Sequence, residues 1–320
     1  MRSRSLAALI AFSLAAWSAA RAQTPAHRAS ATPVVDSALL WQSFAALAAD
    51  SMEGRRMGTR GNAMARKFLT ARLAQLGVSP LVPGYVQHFD VTWRDTSARD
   101  GVNVLGIVRG ADTTRAVVVS AHFDHLGVRH GEIYNGADDN ASGSAAVLAL
   151  AAWYAAHPPR HSLIFAWFDG EEAGLRGSKA FVESPPVPLR RIVANVNLDM
   201  VARLDQNELY AAGATPFPFF RPLLQATARE APVKLRMGHD LSQPDGLENW
   251  IGQSDQAAFY AKGVPFVYFG VEDHADYHRT TDDAERVDAG RYVAAVRTIA
   301  DFLHRLDESL ETTVPRRRNR

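Results

Sequence analysis

Five short patches carry imidazole or carboxylate side chains: His122-Phe123-Asp124, Asp138-Asp139, Glu171-Glu172, Asp199 and His278. Each follows an apolar run, and four of those runs read as buried β-strands. A strand that stops at such a group delivers it to the carboxyl edge of a sheet, where open α/β folds build their sites. Imidazole nitrogen mixed with carboxylate oxygen is a donor set that zinc accepts. The chemistry suggested is metal-assisted hydrolysis.

Each patch also has a plainer reading. His122-Phe123-Asp124 alone suits a hydrogen-bonded core or surface histidine; in an extended segment its first and third side chains point the same way. Asp138, Asp139, Asn140 and Ser142 are all good helix caps, although two acids and an amide exceed what one cap needs. Asp169, Glu171 and Glu172 place three acids within four residues, which repel unless a cation or water relieves them. Asp199 ends the apolar Asn197-Leu198 strand, where a carboxylate is costly to bury unless paired or metal-bound. His274 and His278 offer two imidazoles where one suffices. Taken together, the patches put two histidines and several carboxylates at successive strand ends, which the plainer readings do not explain jointly.

The elements that must hold these residues read as an alternation. Asn62 to Leu76 repeats apolar residues at helical spacing, with Leu39 to Ala49 helical before it. Val102 to Val108, Ala116 to Ala121, Leu163 to Phe168, Ile192 to Leu198 and Val264 to Phe269 read as strands. Ser142 to Ala156 is a helix apolar nearly all round, and Ala289 to Leu306 is the last helix. Ser51 to Thr59 is a Gly-interrupted loop. Residues 203–256 read as a loop-rich excursion that can wall a pocket. This order predicts a three-layer α/β/α domain around a mostly parallel, mixed sheet.

Composition agrees. Of 320 residues, 47% are hydrophobic, enough for a core, and the formal charge of +1 gives no electrostatic reason to expect nucleic acid or an anionic membrane. The absence of cysteine removes disulfides, thiolate ligands and a lipid-bearing N-terminal cysteine. Met1 to Ala22 has the basic start, apolar stretch and small-x-small end of a signal peptide. Residues 23–36 read as a flexible leader and 311–320 as a disordered basic tail. The expectation is a protein exported to the periplasm or beyond, with no membrane anchor after cleavage.

The patches occur in a recognisable order: His-x-Asp, Gly-Ala-Asp-Asp-x-Ala-Ser-Gly, Glu-Glu-x-Gly-Leu-x-Gly-Ser, Leu-Asp-Met and His-x-Thr-x-Asp. This series resembles the secreted di-zinc aminopeptidases, a family that includes aminopeptidase Y and the catalytic domain of glutamate carboxypeptidase. The likeness runs from Leu39 to Leu306 and implies one zinc peptidase catalytic domain, residues 37–310, without the protease-associated insert or dimerisation domain of larger members. It implies two Zn²⁺ ions: Asp139 bridging them, His122 and Asp199 completing one site, Glu172 and His278 the other. Asp139 is preferred to Asp138 by its distance from Ala141-Ser142-Gly143 in the family's pattern. Glu171 is implied as general base and then general acid, through a hydroxide bridging the metals, with Asp124 supporting His122. The implied partners are peptides with a free N-terminus, and a monomer is expected.

The chain departs from relatives at Asn140, where several have Asp, which leaves a supporting hydrogen bond in doubt, and at Gln256, where a His is common. His125, His130 and His274 lie near the site in sequence, with a surface location as their default. Phe217, Phe219, Phe220, Trp250, Phe259 and Tyr268 can line a pocket, although such aromatics are more often core. Three other readings compete: a glutaminyl cyclase-like acyltransferase, a dipeptidase or carboxypeptidase of the same family, and a non-catalytic binding module.

Overall fold

Consecutive apolar residues, rather than alternating ones, build the central strands, because helices cover both faces of the sheet. A computed structural model describes residues 33–91, 99–240 and 248–315. The expected signal peptide, the leader up to residue 32 and the basic residues 316–320 lie outside them.

In chain order the elements are α1 (Ser37–Leu47), α2 (Arg60–Gln75), β1 (Ser79–Pro80), β2 (Val86–Val91), β3 (Arg99–Val108), β4 (Asp112–His122), β5 (Gly127–Arg129) and β6 (Glu132–Tyr134). Then come α3 (Gly143–Ala156), β7 (His161–Phe168), α4 (Arg176–Glu183), β8 (Ile192–Leu198), β9 (Glu208–Ala212), α5 (Arg221–Glu230), β10 (Lys234–Met237), α6 (Gln256–Ala261), β11 (Phe266–Gly270) and α7 (Ala289–Thr313). The main sheet runs β1-β3-β7-β4-β8-β11-β9-β10, with β2 also on β3, and β5 pairs β6 separately. Its centre, β7-β4-β8-β11, is parallel, and the flanking β3 and β9 join antiparallel. The mixed three-layer architecture is as the sequence predicts.

Alternate residues of β4 show the two faces. Val117 and Val119 pack with Leu40, Leu69, Leu148 and Ile299, from α1, α2, α3 and α7. Val118 packs on the other side with Phe181 of α4 and Phe259 of α6. Helix α3 is buried from Gly143 to Ala151, which explains a sequence apolar on every side.

The register aims the ends of the parallel strands together. His122 of β4 stands opposite Phe168 of β7, Ser120 opposite Asn197 of β8, and Leu198 opposite Phe269 of β11. Asp199 and the Asp169–Glu172 segment therefore leave the same edge that carries His122.

Three expectations are corrected. Residues 203–256 are not only an excursion: β9, α5 and β10 extend the sheet, and Pro218 and Pro222 open helical turns there, where a missing N–H costs nothing. The last helix runs beyond 310 to Thr313, and Val314 is buried, because the Arg115 guanidinium donates to the carbonyls of Leu310 and Val314. The leader ends earlier than residue 36, since Val35 is buried and Asp36 caps α1. The described residues form one compact unit.

One buried cation ties the loops under the site. Arg55 is fully buried, and its guanidinium donates to the carbonyls of Phe123 (2.8 Å), Leu47 (2.6 Å), Asn135 (2.7 Å) and Gly136 (2.9 Å). Burial lowers its pKa to about 10, opposed by the nearby carboxylates of Asp139 and Asp124. Arg55→Met strands four carbonyls and is expected to cost at least about 3 kcal/mol in urea unfolding. Arg55→Lys should recover little of that, since one ammonium cannot reproduce the fork.

Candidate metal centre

The strand ends bring two groups of donors together, joined by one residue. His122 Nε2 lies 3.3 Å from Asp139 Oδ1 and 3.1 Å from Asp199 Oδ1. On the other side of the same carboxylate, His278 Nε2 lies 3.1 Å from Asp139 Oδ2 and 3.3 Å from Glu172 Oε1. His125 Nδ1 faces those same two oxygens, at 3.5 Å and 2.8 Å. Bonds of ~2.0–2.1 Å at tetrahedral angles place donor atoms ~3.3–3.4 Å apart, so both groups have the spacing of zinc ligands. His122, Asp139 and Asp199 form one set able to hold an ion; His125, Asp139 and Glu172 form another.

Asp139 is placed by its backbone. The Asp282 carboxylate accepts from the N–H groups of Asp138 (3.0 Å) and Asp139 (3.1 Å), which explains the aspartate that ends the His278–Asp282 patch. Asp138 turns away: its Oδ1 accepts from Ala202 N (2.7 Å) and its Oδ2 lies 3.3 Å from His274. His274 therefore serves Asp138 rather than the donor groups. Neither acid caps α3. Asn140 does so, with its Oδ1 accepting from Gly143 N (2.8 Å) while its Nδ2 donates to Leu198 O (3.0 Å). An ionised Asp at 140 has no donor for that second bond.

The three acids after β7 diverge, although Glu172 still acts on Glu171. Asp169 points back beneath the sheet, accepting from Asn62 Nδ2 (2.8 Å) and Val102 N (3.0 Å). Glu172 faces His278. Glu171 belongs to neither donor set among the described residues, and its backbone N–H donates to Asp124 Oδ1 (3.1 Å). Gly177 lets this turn close: a Cβ there would stand 2.2 Å from Asn103 Oδ1. The Nδ1 atom of His122 is 3.1 Å from the Asp124 carbonyl oxygen and 3.6 Å from its carboxylate, so the carbonyl is the nearer acceptor.

Gln256 sits behind the centre. It accepts from Asn197 Nδ2 (3.0 Å) and donates to Trp250 O (2.7 Å), completing a buried polar ladder with Ser120. Of the six aromatics, Phe220, Trp250, Phe259 and Tyr268 are buried and Phe217 and Phe219 pack on the core. Tyr268 also donates to Asp199 O at 3.2 Å. His130 is exposed, in the β5–β6 turn. Sequence reasoning left His125 and Asp282 without roles and did not single out Arg55. The signal for His125 was its place next to Asp124 before an apolar Leu126; nothing local marked Arg55. A cavity of about 300 Å³ adjoins the centre, lined in part by Arg56, Met57, Asp124, His125 and Glu172.

Charge in the metal-free centre is shared between imidazoles and carboxylates. Burial opposes a charge on His122, but Asp199, Asp124 and Asp139 outweigh it and raise its pKa well above the ordinary value. Burial likewise opposes ionisation of Asp139, yet His125, His122 and His278 hold it well below the ordinary value. Glu171 goes the other way: burial, with Asp199, Asp255 and Glu172 nearby, raises it well above the usual range.

Fold and centre together define an α/β protein with histidine–carboxylate groups that could hold metal at the carboxyl edge of its sheet. The chain belongs to Peptidase family M28, whose model matches residues 103–303. It is similar to an aminopeptidase of Pseudomonas aeruginosa, 34% identical over 169 residues, which are 51% of this chain. This chain spans only 30% of that relative's length. Among solved structures, a zinc aminopeptidase from Bacillus subtilis superposes with a TM-score of 0.72 at 15% identity, over 90% of this chain and 99% of that one. A Bacteroides thetaiotaomicron glutaminyl cyclase does so at 0.70 and 16%, over 85% and 99%. At such identities these two likenesses establish the fold.

The metal-free centre should lose stability as pH rises. His278, 38% exposed, has its pKa raised to about 10, its pairing with Asp139 and Glu172 outweighing burial. Raised above an unfolded value of about 6.5, it contributes stability present below that value and lost as pH climbs through about 10. Burial raises Asp169 to about 8 and Asp255 to about 7, so they keep protons that the unfolded chain releases near pH ~4, which acts in the same direction. The melting temperature of chelator-stripped protein should therefore fall between about pH 6 and about pH 9. The rise on adding zinc should be larger at the higher pH, where fewer protons must leave.

Proposed function

We propose that this chain is a zinc-dependent exopeptidase that removes N-terminal residues from peptides. The observation that carries the reading is the Asp139 carboxylate, one oxygen facing His122 and the other facing His278, with Asp199 and Glu172 completing the two sides. Two ions in those positions bring four positive charges against the three negative charges of Asp139, Glu172 and Asp199. The near balance suits a mostly buried site. His122, Asp139 and Asp199 would hold one ion, and Asp139, Glu172 and His278 the other.

Zinc held by these residues would supply a more acidic bound water and a polarised substrate carbonyl. The residues do the rest. Glu171 is not spent on either donor set and stands beside them, where it takes the proton of the attacking water and returns it to the departing amine. Asp124 holds Glu171 in place through the backbone bond at Asp124 Oδ1. Positive charge held by the neighbouring donors would oppose the burial that raises Glu171 and favour its ionised form. The likeness to the Pseudomonas aminopeptidase supports the choice of N-terminal cleavage.

Residues 1–22 are read as an export signal, which places the mature chain in the periplasm or outside the cell, acting as a monomer on free peptides. Among the described residues no helix is long and apolar enough to cross a membrane. A cyclase reading shares the fold, so chemistry must separate the two.

A paired assay on aminoacyl amides and on an N-terminal Gln peptide, with and without chelator, is expected to show chelator-sensitive release of amino acids. Cyclisation of the Gln peptide without such release would replace this reading by the acyltransferase one. Glu171→Gln should keep its zinc by elemental analysis and lose about 10²–10⁴-fold in kcat. Unchanged turnover would remove Glu171 as the base.

A further inference from the structure

We infer that the cavity beside the centre is a carboxylate subsite, in which Arg56 and Arg129 hold a carboxylate carried by the peptide substrate; the inference rests on the exopeptidase reading above. The cavity measures about 300 Å³, and Arg56 and Arg129 share its wall with Asp124, His125 and Glu172. That volume is at the lower end of the ~300–1,000 Å³ range of ligand pockets, so it suits a group of about one or two residues.

The acids of this wall are engaged elsewhere. Asp124 Oδ1 accepts from Glu171 N (3.1 Å), and Glu172 Oε1 faces His125 Nδ1 (2.8 Å) and His278 Nε2 (3.3 Å). The arginines are not so engaged. Among the described residues neither has an acidic partner, and the Arg56 guanidinium makes no hydrogen bond. Arg56 is half-buried, and a guanidinium drawn out of water is costly until an anion meets it. Arg129 is held at the rim. Its Nε donates to Leu126 O (3.3 Å), and its Cζ stands 5.8 Å from the centre of the Tyr134 ring. Both of its terminal nitrogens are left for a ligand.

The backbone seats Arg56 against the strand that carries Arg129. Gly127 opens β5 with φ +79°, and a Cβ there would stand 2.6 Å from Arg56 Cβ and 3.2 Å from its Cδ. The arginine stem therefore lies across the start of β5, which ends at Arg129. The formal charge of the whole chain is only +1, so two unpaired cations at one cavity are a local feature and not part of a generally basic surface. A guanidinium fork pairs with both oxygens of a carboxylate, which a neutral amide cannot match. An amide entering the cavity displaces water from both cations and returns less. The carboxylate has two possible sources, the C-terminus of a dipeptide or an Asp or Glu side chain beside the scissile bond. The alternative is that both arginines are solvated rim residues, in which case acid and amide substrates are treated alike.

The test compares kcat/KM of the zinc-loaded protein on three matched pairs: Ala-Ala with Ala-Ala-amide, Ala-Glu-amide with Ala-Gln-amide, and Asp-Ala-amide with Asn-Ala-amide. In at least one pair the acid should be favoured by about 10-fold or more, and that pair names the source. Arg56→Gln should bring the ratio close to 1. Arg129→Gln, at an exposed position, should lower it by at least about 3-fold and decides alone if melting shows that Arg56→Gln does not fold. Ratios within about 3-fold in all three pairs, or a preference that survives both substitutions, would overturn the subsite and leave the exopeptidase reading standing. Release of no amino acid from any peptide would overturn the exopeptidase reading instead. Calorimetric binding of the same pairs to Glu171→Gln, with and without Arg56→Gln, then decides the subsite: tighter binding of the acid that depends on Arg56 keeps it, and equal or absent binding removes it.

Discussion

The centre depends on one carboxylate being held so that its two oxygens face opposite ways. Asp139 Oδ1 looks toward His122 and Asp199, and Oδ2 toward Glu172, His125 and His278. Bringing Asp139, Glu172 and Asp199 into one buried space is unfavourable without positive charge among them. Imidazoles supply some of it in the metal-free chain, and metal ions would supply more. Other features of this edge of the sheet serve either to fix that carboxylate or to offset its charge.

The fixing is done by backbone hydrogen bonds rather than by packing alone. Asp282 accepts from the Asp138 and Asp139 amides, Asn140 spans from the start of α3 to the end of β8, and Arg55 gathers carbonyls on both sides of the site. Their partners come from segments far apart in the chain. The loops at this edge are therefore held as one unit, and a fault in any of them reaches Asp139. His278 is the exception, more exposed than the other donors and carried on a loop beyond β11.

The fold by itself does not choose a reaction. Superposition on a zinc aminopeptidase and on a glutaminyl cyclase is nearly equal, at TM-scores of 0.72 and 0.70. What separates the possibilities is the chemistry at the strand ends: how many ions are held, how open each position is, and which carboxylate stays free of them. Glu171 matters most for that reason, as the acid that belongs to neither donor group among the described residues.

Much of this was legible in the sequence because it depends on local pattern. Continuous apolar strands ending in His122, Phe168 and Leu198 announce a covered parallel sheet, and the residue types at those ends announce a metal site. The order of the patches carried the family. What the chain could not show locally was direction. Asp169 and Asp138 share composition and neighbourhood with the residues at the centre, yet they turn to Asn62 and to the amide of Ala202. Residues 203–256 read as irregular because short strands on a sheet's flank carry little periodicity, and only the pairing of β9 with β11 and of β10 with β9 reveals them. Arg55 looked like any loop arginine until four distant carbonyls converged on it. The sequence by itself determined which residue types reach the edge of the sheet, since strand length and apolar pattern act within one segment. Only the tertiary structure decided which of them face the shared carboxylate, since that depends on hydrogen bonds between segments that meet only when the chain is folded.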